Sequence, residues 1–155
     1  DRSPSRGLGD VYKRQVYDQL ARSKVDLKGT LLKPNMVLSG KSAENRAAPE
    51  EVAQATVSCF KNTVPDTVPG IVFLSGGQSD NEATVNLDAI NKYAIETGAP
   101  WELSFSYGRG LQAAPLNAWR GEKNNMAKAQ SVFFQRAFVT SAARNGAYSP
   151  SMEAV

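Results

Sequence analysis

The sequence contains no histidine and only one cysteine, Cys59. Without imidazole, the usual zinc ligand sets and the Ser-His and Cys-His nucleophile pairs are excluded, and a lone cysteine forms no internal disulfide. Any chemistry must come from lysine, carboxylate, tyrosine or backbone groups. Long apolar runs are also missing. No stretch approaches the roughly 18 residues of a membrane span, and the amino-terminal residues lack the apolar core of a secretory signal. Charge of one sign is scarce too. The net charge is +3 at pH 7, and residues 1–15 supply +2 of it through Arg2, Arg6, Lys13 and Arg14 against Asp1 and Asp10. The remainder holds 14 basic and 13 acidic residues and no basic stripe interleaved with aromatics, so no nucleic-acid partner and no membrane partner is expected.

What is present is 155 residues, 41% hydrophobic and 21% charged, the make-up of a folded globular chain. DRSPSRGLGDVYKRQ, residues 1–15, has no hydrophobic period and reads as a non-native or disordered leader. VYDQLARSK then fits the end of a helix, and GTLLKPNMV a strand stopped by proline. Pro49 followed by Glu50 and Glu51 suits a helix first turn, with Val52, Ala55, Cys59 and Phe60 along one face. IVFL is a short apolar run of the kind buried on both faces. Ser79 with Glu82 opens a further helix through Ala83, Leu87, Ile90 and Ala94. WELSFSYG alternates Trp101, Leu103 and Phe105 with Glu102, Ser104 and Ser106, as a strand does. A helical piece over 111–119 precedes a longer helix over 123–144, whose expected buried face carries Met126, Ala129, Phe133 and Ala137. The alternation predicts an α/β fold of βαβ units with a parallel sheet, and three strands leave two open edges.

In such folds the reactive groups gather at the carboxyl ends of the strands. Those ends here carry Lys33, then Ser75-Gly76-Gly77, then Ser106-Tyr107-Gly108-Arg109. Lys33 has two readings. It is either a nucleophile, freed by apolar walls or a neighbouring cation that disfavour the ammonium, or an ion-paired or snorkelling cation. The two glycine-rich ends offer bare backbone N–H groups, the second with a guanidinium suited to phosphate oxygens. Neither fits GxxxxGK[ST] or completes a dinucleotide fingerprint, which favours a phosphorylated small molecule over a nucleotide.

GTLLKPNMV, GIVFLSGGQS, VNLDAINK and SFSYGRGLQ, in this order and at these intervals, resemble the class I fructose-1,6-bisphosphate aldolases, metal-independent Schiff-base enzymes built on a (β/α)8 barrel. The resemblance runs from about Val16 to about Pro150 and implies the carboxyl-terminal part of such a TIM barrel, about strands 6 to 8 with their helices, over residues 16–155. It implies that Lys33 forms the imine with the substrate ketone. It also puts Ser75, Gly76, Ser106, Gly108 and Arg109 on or beside the substrate-phosphate site. The implied reaction is reversible aldol cleavage of fructose 1,6-bisphosphate, with no cofactor and no metal, in a homotetramer, in the cytoplasm or alternatively a plastid. The family's catalytic aspartate, paired glutamates and other active-site lysines have no counterpart here, nor does the tyrosine that ends its tail, so these 155 residues alone are expected to be inactive. A non-catalytic phosphosugar-binding or cytoskeletal-scaffold protein of the same fold is the alternative.

Overall fold

The structure, a computed structural model, describes residues 4–40 and 42–153. Its elements follow the order α1 (Pro4–Arg22), β1 (Leu31–Leu32), α2 (Pro49–Thr63), β2 (Gly70–Phe73), α3 (Asp80–Glu96), β3 (Glu102–Phe105), α4 (Arg109–Trp119) and α5 (Met126–Arg144). Among the described residues no helix is long and apolar enough to cross a bilayer.

Two helix starts follow directly from local chemistry. Pro49 occupies the first turn of α2, where its missing N–H costs nothing, and Glu51 reaches back to accept from Ala48 N at 2.8 Å. At α3, Ser79 Oγ accepts from Glu82 N at 3.2 Å, the expected cap. The strands pair in parallel in the order β1-β2-β3, with Leu31 opposite Gly70 and Gly70 opposite Glu102. β1 is much shorter than the stretch GTLLKPNMV because Pro34 has no N–H to give the ladder. Its carbonyl still accepts from Leu74 N at 3.1 Å, so the chain stays beside β2 past the proline. β3 likewise ends at Phe105, while Ser106 N still donates to Phe73 O at 2.8 Å.

The sheet is covered on one face only. Ile71, Phe73, Trp101 and Leu103 are buried against the helices, where Phe60 stacks on Phe73 at 5.8 Å and meets Trp101 edge-on at 6.4 Å. α3 turns Ala83, Leu87, Ile90 and Ala94 inward, the face its spacing predicts. The opposite sheet face leaves Leu31 64% exposed, and β1 and β3 are both edge strands.

One expectation is corrected. The buried face of α5 is Arg136, Val139, Thr140 and Ala143, while Met126 and Phe133 are exposed, as are Phe134 and Phe138. Apolar side chains occur all round this helix, so periodicity alone picks no unique stripe. The choice is made by a buried arginine that the sequence pattern assigns to water. Arg136 donates through Nη2 to Asp80 O and Thr84 Oγ1 and through Nη1 to Glu153 at 2.5 Å. In the stretch 1–15, expected to be a non-native or disordered leader, the described residues are helical from Pro4, and Lys13 Nζ lies over the Phe60 ring, 5.4 Å from its centroid and 3.1 Å from Cys59 Sγ. An ammonium over an aromatic face gives this stretch a tertiary contact that its composition does not advertise. Asp1, Arg2 and Ser3 lie outside the described residues.

Candidate active site

All the site residues expected from sequence stand at one rim, the carboxyl ends of β1, β2 and β3. Lys33 follows Leu32, the last paired residue of β1. Continuing the register sets Lys33 level with Val72, which pairs with Ser104. Alternation puts Lys33 on the face of the sheet that carries exposed Leu31, not the face packed on helices. At a strand spacing of about 4.8 Å, the Lys33 and Ser104 backbones are about 10 Å apart. Lys33 is exposed and makes no ion pair among the described residues. An ion-paired Lys33 has no partner among the described residues, and the apolar walls are missing from them too, since Leu31 is itself open.

The turn after β2 is a tight one. Gly76 and Gly77 have φ of +62° and +79°, the left-handed region where a Cβ is strained. Ser75 O closes the turn by accepting from Gln78 N at 3.1 Å. Asn35 lies directly over Gly76. A Cβ there would come within 3.0 Å of Asn35 Cγ and Nδ2 and closer still to Oδ1. The segment that begins at Lys33 therefore rests on the turn. No hydrogen bond among the described residues uses the N–H of Gly76 or Gly77, and both residues are exposed.

The third strand end touches the second. A Cβ at Gly110 would meet Ser75 Cβ at 3.3 Å, so the two glycine-rich loops pack together at that point. Gly108 precedes α4 as its N-cap, and Arg109 is its first residue. Ser106, Gly108 and Arg109 are exposed, and Arg109 has no ion-pair partner among the described residues. An anion at this rim would meet a helix amino terminus and a free guanidinium together. Ser75 differs from the others. It is 6% exposed, and its carbonyl is engaged with Gln78, so its part is in shaping the turn. Tyr107 is also withdrawn: its hydroxyl donates to Ala83 O at 3.1 Å, and burial pushes the phenol far above its ordinary range.

Sequence reasoning missed Asn35, Gln78 and Asn86, which are polar residues inside apolar or loop patterns. The one available signal was Asn86 at helical spacing beside the apolar Ala83, Leu87 and Ile90 of α3.

Comparison with known proteins adds the wider context. A family model described as fructose-bisphosphate aldolase class-I matches residues 8–155. Fructose-bisphosphate aldolase B of Sparus aurata is 52% identical over 136 residues, which cover 88% of this chain and 37% of that protein. Human fructose-bisphosphate aldolase C is 51% identical over 138 residues, covering 89% of this chain and 37% of its own length. Among solved structures, a ternary co-crystal of fructose-bisphosphate aldolase from Plasmodium falciparum with TRAP and a small molecule inhibitor superposes with a TM-score of 0.88. It is 44% identical and is matched over 93% of this chain and 41% of that one. The chain thus spans somewhat over a third of the length of the curated relatives it matches.

Proposed function

Because this chain belongs to the class-I fructose-bisphosphate aldolase family and forms part of its α/β barrel, we propose that the intact protein cleaves fructose 1,6-bisphosphate reversibly to dihydroxyacetone phosphate and glyceraldehyde 3-phosphate, with Lys33 as its covalent nucleophile. The observation that carries this reading is the shared rim. Lys33 lies on the uncovered sheet face, level with Val72, and its own segment packs through Asn35 on the Gly76 turn.

In the proposed reaction the neutral amine of Lys33 adds to the C2 carbonyl and water leaves, giving an iminium. The C3–C4 bond then breaks, its electron pair moving toward the iminium nitrogen to give an enamine, while a base removes the C4 hydroxyl proton. Glyceraldehyde 3-phosphate departs. Protonation of the enamine and hydrolysis return dihydroxyacetone phosphate and the free amine. The base lies outside these 155 residues, as do the walls that would dry the amine, and both belong to the rest of the barrel. The backbone N–H groups of Gly76 and Gly77, the amino terminus of α4 and the Arg109 guanidinium hold substrate phosphate, with Ser106 and Gly108 beside them. Binding at the phosphates fixes the ketone against the amine, which turns a bimolecular encounter into an intramolecular one.

The same reading gives a homotetramer that works without a cofactor in the cytoplasm, with a plastid as the alternative compartment. Borohydride reduction of the full-length protein with dihydroxyacetone phosphate tests it. The expected result is a stable adduct mass on the LLKPNMV peptide, at Lys33, with none in K33M. An unmodified peptide would favour a non-catalytic scaffold of the same fold.

A further inference from the structure

Gln78 is the best-connected buried polar side chain at this rim, and the reaction just described gives it no part. It is 8% exposed. Its Nε2 donates to Ser75 O at 3.0 Å and to Met36 Sδ at 3.5 Å, and its Oε1 accepts from Asn86 Nδ2 at 2.7 Å. Every hydrogen-bonding position of the amide except one acceptor lone pair is therefore used. The three partners belong to three separate segments: the stretch that starts at Lys33, the glycine turn, and α3. Asn86 is itself only 4% exposed, so this is a fully interior anchor.

The turn needs such an anchor. Two successive glycines in the left-handed region have wide conformational freedom, and a single backbone bond from Gln78 N to Ser75 O leaves them room to rearrange. The side chain adds a second bond to the same carbonyl and ties it to Met36, three residues after Lys33. Asn35, on the other side, rests on Gly76. The lysine segment and the anion turn are thus clamped from above and below.

We propose that Gln78 is a positioning residue that holds the glycine turn beside Lys33 in the conformation that captures a substrate phosphate. This rests on the assignment of Lys33 and the loops given above. Gln78 touches no substrate; it acts through the backbone N–H groups of Gly76 and Gly77. Its loss weakens capture of the phosphate while leaving the chemistry at Lys33 intact once substrate saturates the site.

The test uses the full-length enzyme and the variants Gln78→Leu, Gln78→Glu and Asn86→Ala, with inorganic phosphate as the competing probe. Gln78→Leu keeps the volume and removes all three bonds. It is expected to raise KM for the ketose bisphosphate and the inhibition constant of phosphate about tenfold each, the equivalent of about 1.4 kcal/mol. Imine trapping at saturating substrate and kcat stay within about twofold. Asn86→Ala removes only the Oε1 partner and is expected to give about a threefold shift. Gln78→Glu sets a carboxylate against Ser75 O and is expected to match or exceed the leucine variant. A merely structural glutamine would lower the melting temperature and kcat together and leave KM and phosphate inhibition unmoved, and that outcome overturns the proposal. If Gln78→Leu does not fold, unchanged phosphate inhibition in both Asn86→Ala and Gln78→Glu overturns it equally. The two assignments fail separately: a wild-type protein that traps substrate at Lys33 while the variants bind phosphate normally removes the role of Gln78 alone. A wild type that traps nothing there removes both.

Discussion

Gly76→Ala is the sharpest perturbation the rim allows, because two independent costs fall on one methyl group. With φ at +62°, an alanine in the same conformation costs about 1–2 kcal/mol. The methyl carbon would also stand within 3.0 Å of Asn35 Cγ and Nδ2, so the asparagine must move. Asn35 Oδ1 accepts from Met36 N at 3.0 Å, and losing that bond adds about 1 kcal/mol. The sum, about 2–3 kcal/mol, is relieved only if the turn or the lysine segment shifts. If the turn holds substrate phosphate as proposed, either movement spoils its capture, so KM for the bisphosphate in the full-length protein should rise roughly 30- to 150-fold. Gly98 provides the control. Its φ is +64°, but nothing lies within 4 Å of its would-be Cβ, so Gly98→Ala carries the backbone cost alone and should leave KM untouched. Gly108, with φ of −85° and open space around it, should accept alanine with no measurable loss of stability. The double variant Asn35→Gly/Gly76→Ala removes the contact but keeps both the strain and the loss of the Met36 bond, so it should restore KM toward the Gly98→Ala value while remaining no more stable than Gly76→Ala. Melting curves and steady-state kinetics on the four variants separate the terms. Equal behaviour of Gly76→Ala and Gly98→Ala in both assays would refute the packing of Asn35 on the turn.

Three further outcomes follow from the packing. Arg136→Met removes the buried guanidinium that holds Glu153, Asp80 O and Thr84; it should destabilise the full-length protein by about 3 kcal/mol and speed amide exchange over residues 147–153. Unchanged exchange in that segment would count against the clamp. Burial raises the phenol of Tyr107, so its neutral form is favoured in the fold; that contribution is complete below about pH 10, the unfolded value, and is lost as pH climbs beyond it. Tyr107→Phe should therefore flatten the fall of stability above pH 10, and an identical slope in the variant would contradict this. Finally, these 155 residues expressed alone leave Leu31, Phe133, Phe134 and Phe138 exposed beside two open sheet edges, and should aggregate or stay molten. Sharp, dispersed amide signals from a soluble monomer would show otherwise.

The parallel βα order was legible because the starts of α2 and α3 carry their own local signals, at Pro49 and Ser79, and because the strands are short apolar or alternating runs between turn residues. The rim was legible for a topological reason: parallel strands bring their carboxyl ends together whatever the details of packing. Partnership was not. The pattern of α5 could not announce that Arg136 goes inside, since its burial depends on Glu153 and on the first turn of α3, residues far away in sequence. Nor could it identify Gln78, whose role appears only when Met36, Ser75 and Asn86 meet around it. The exposure of Lys33 has a related cause. Its neighbours on the open face would come from strands that these residues do not supply, so the dry environment a nucleophilic amine needs is a property of the closed barrel.

A crystal structure of the full-length protein reduced in the presence of dihydroxyacetone phosphate is the most direct test. Continuous density should join Lys33 Nζ to the substrate carbon, with the phosphate on the N–H groups of the Gly76 turn or at the amino terminus of α4 beside Arg109. A covalent adduct on a different lysine, or a phosphate bound away from both loops, would contradict the account.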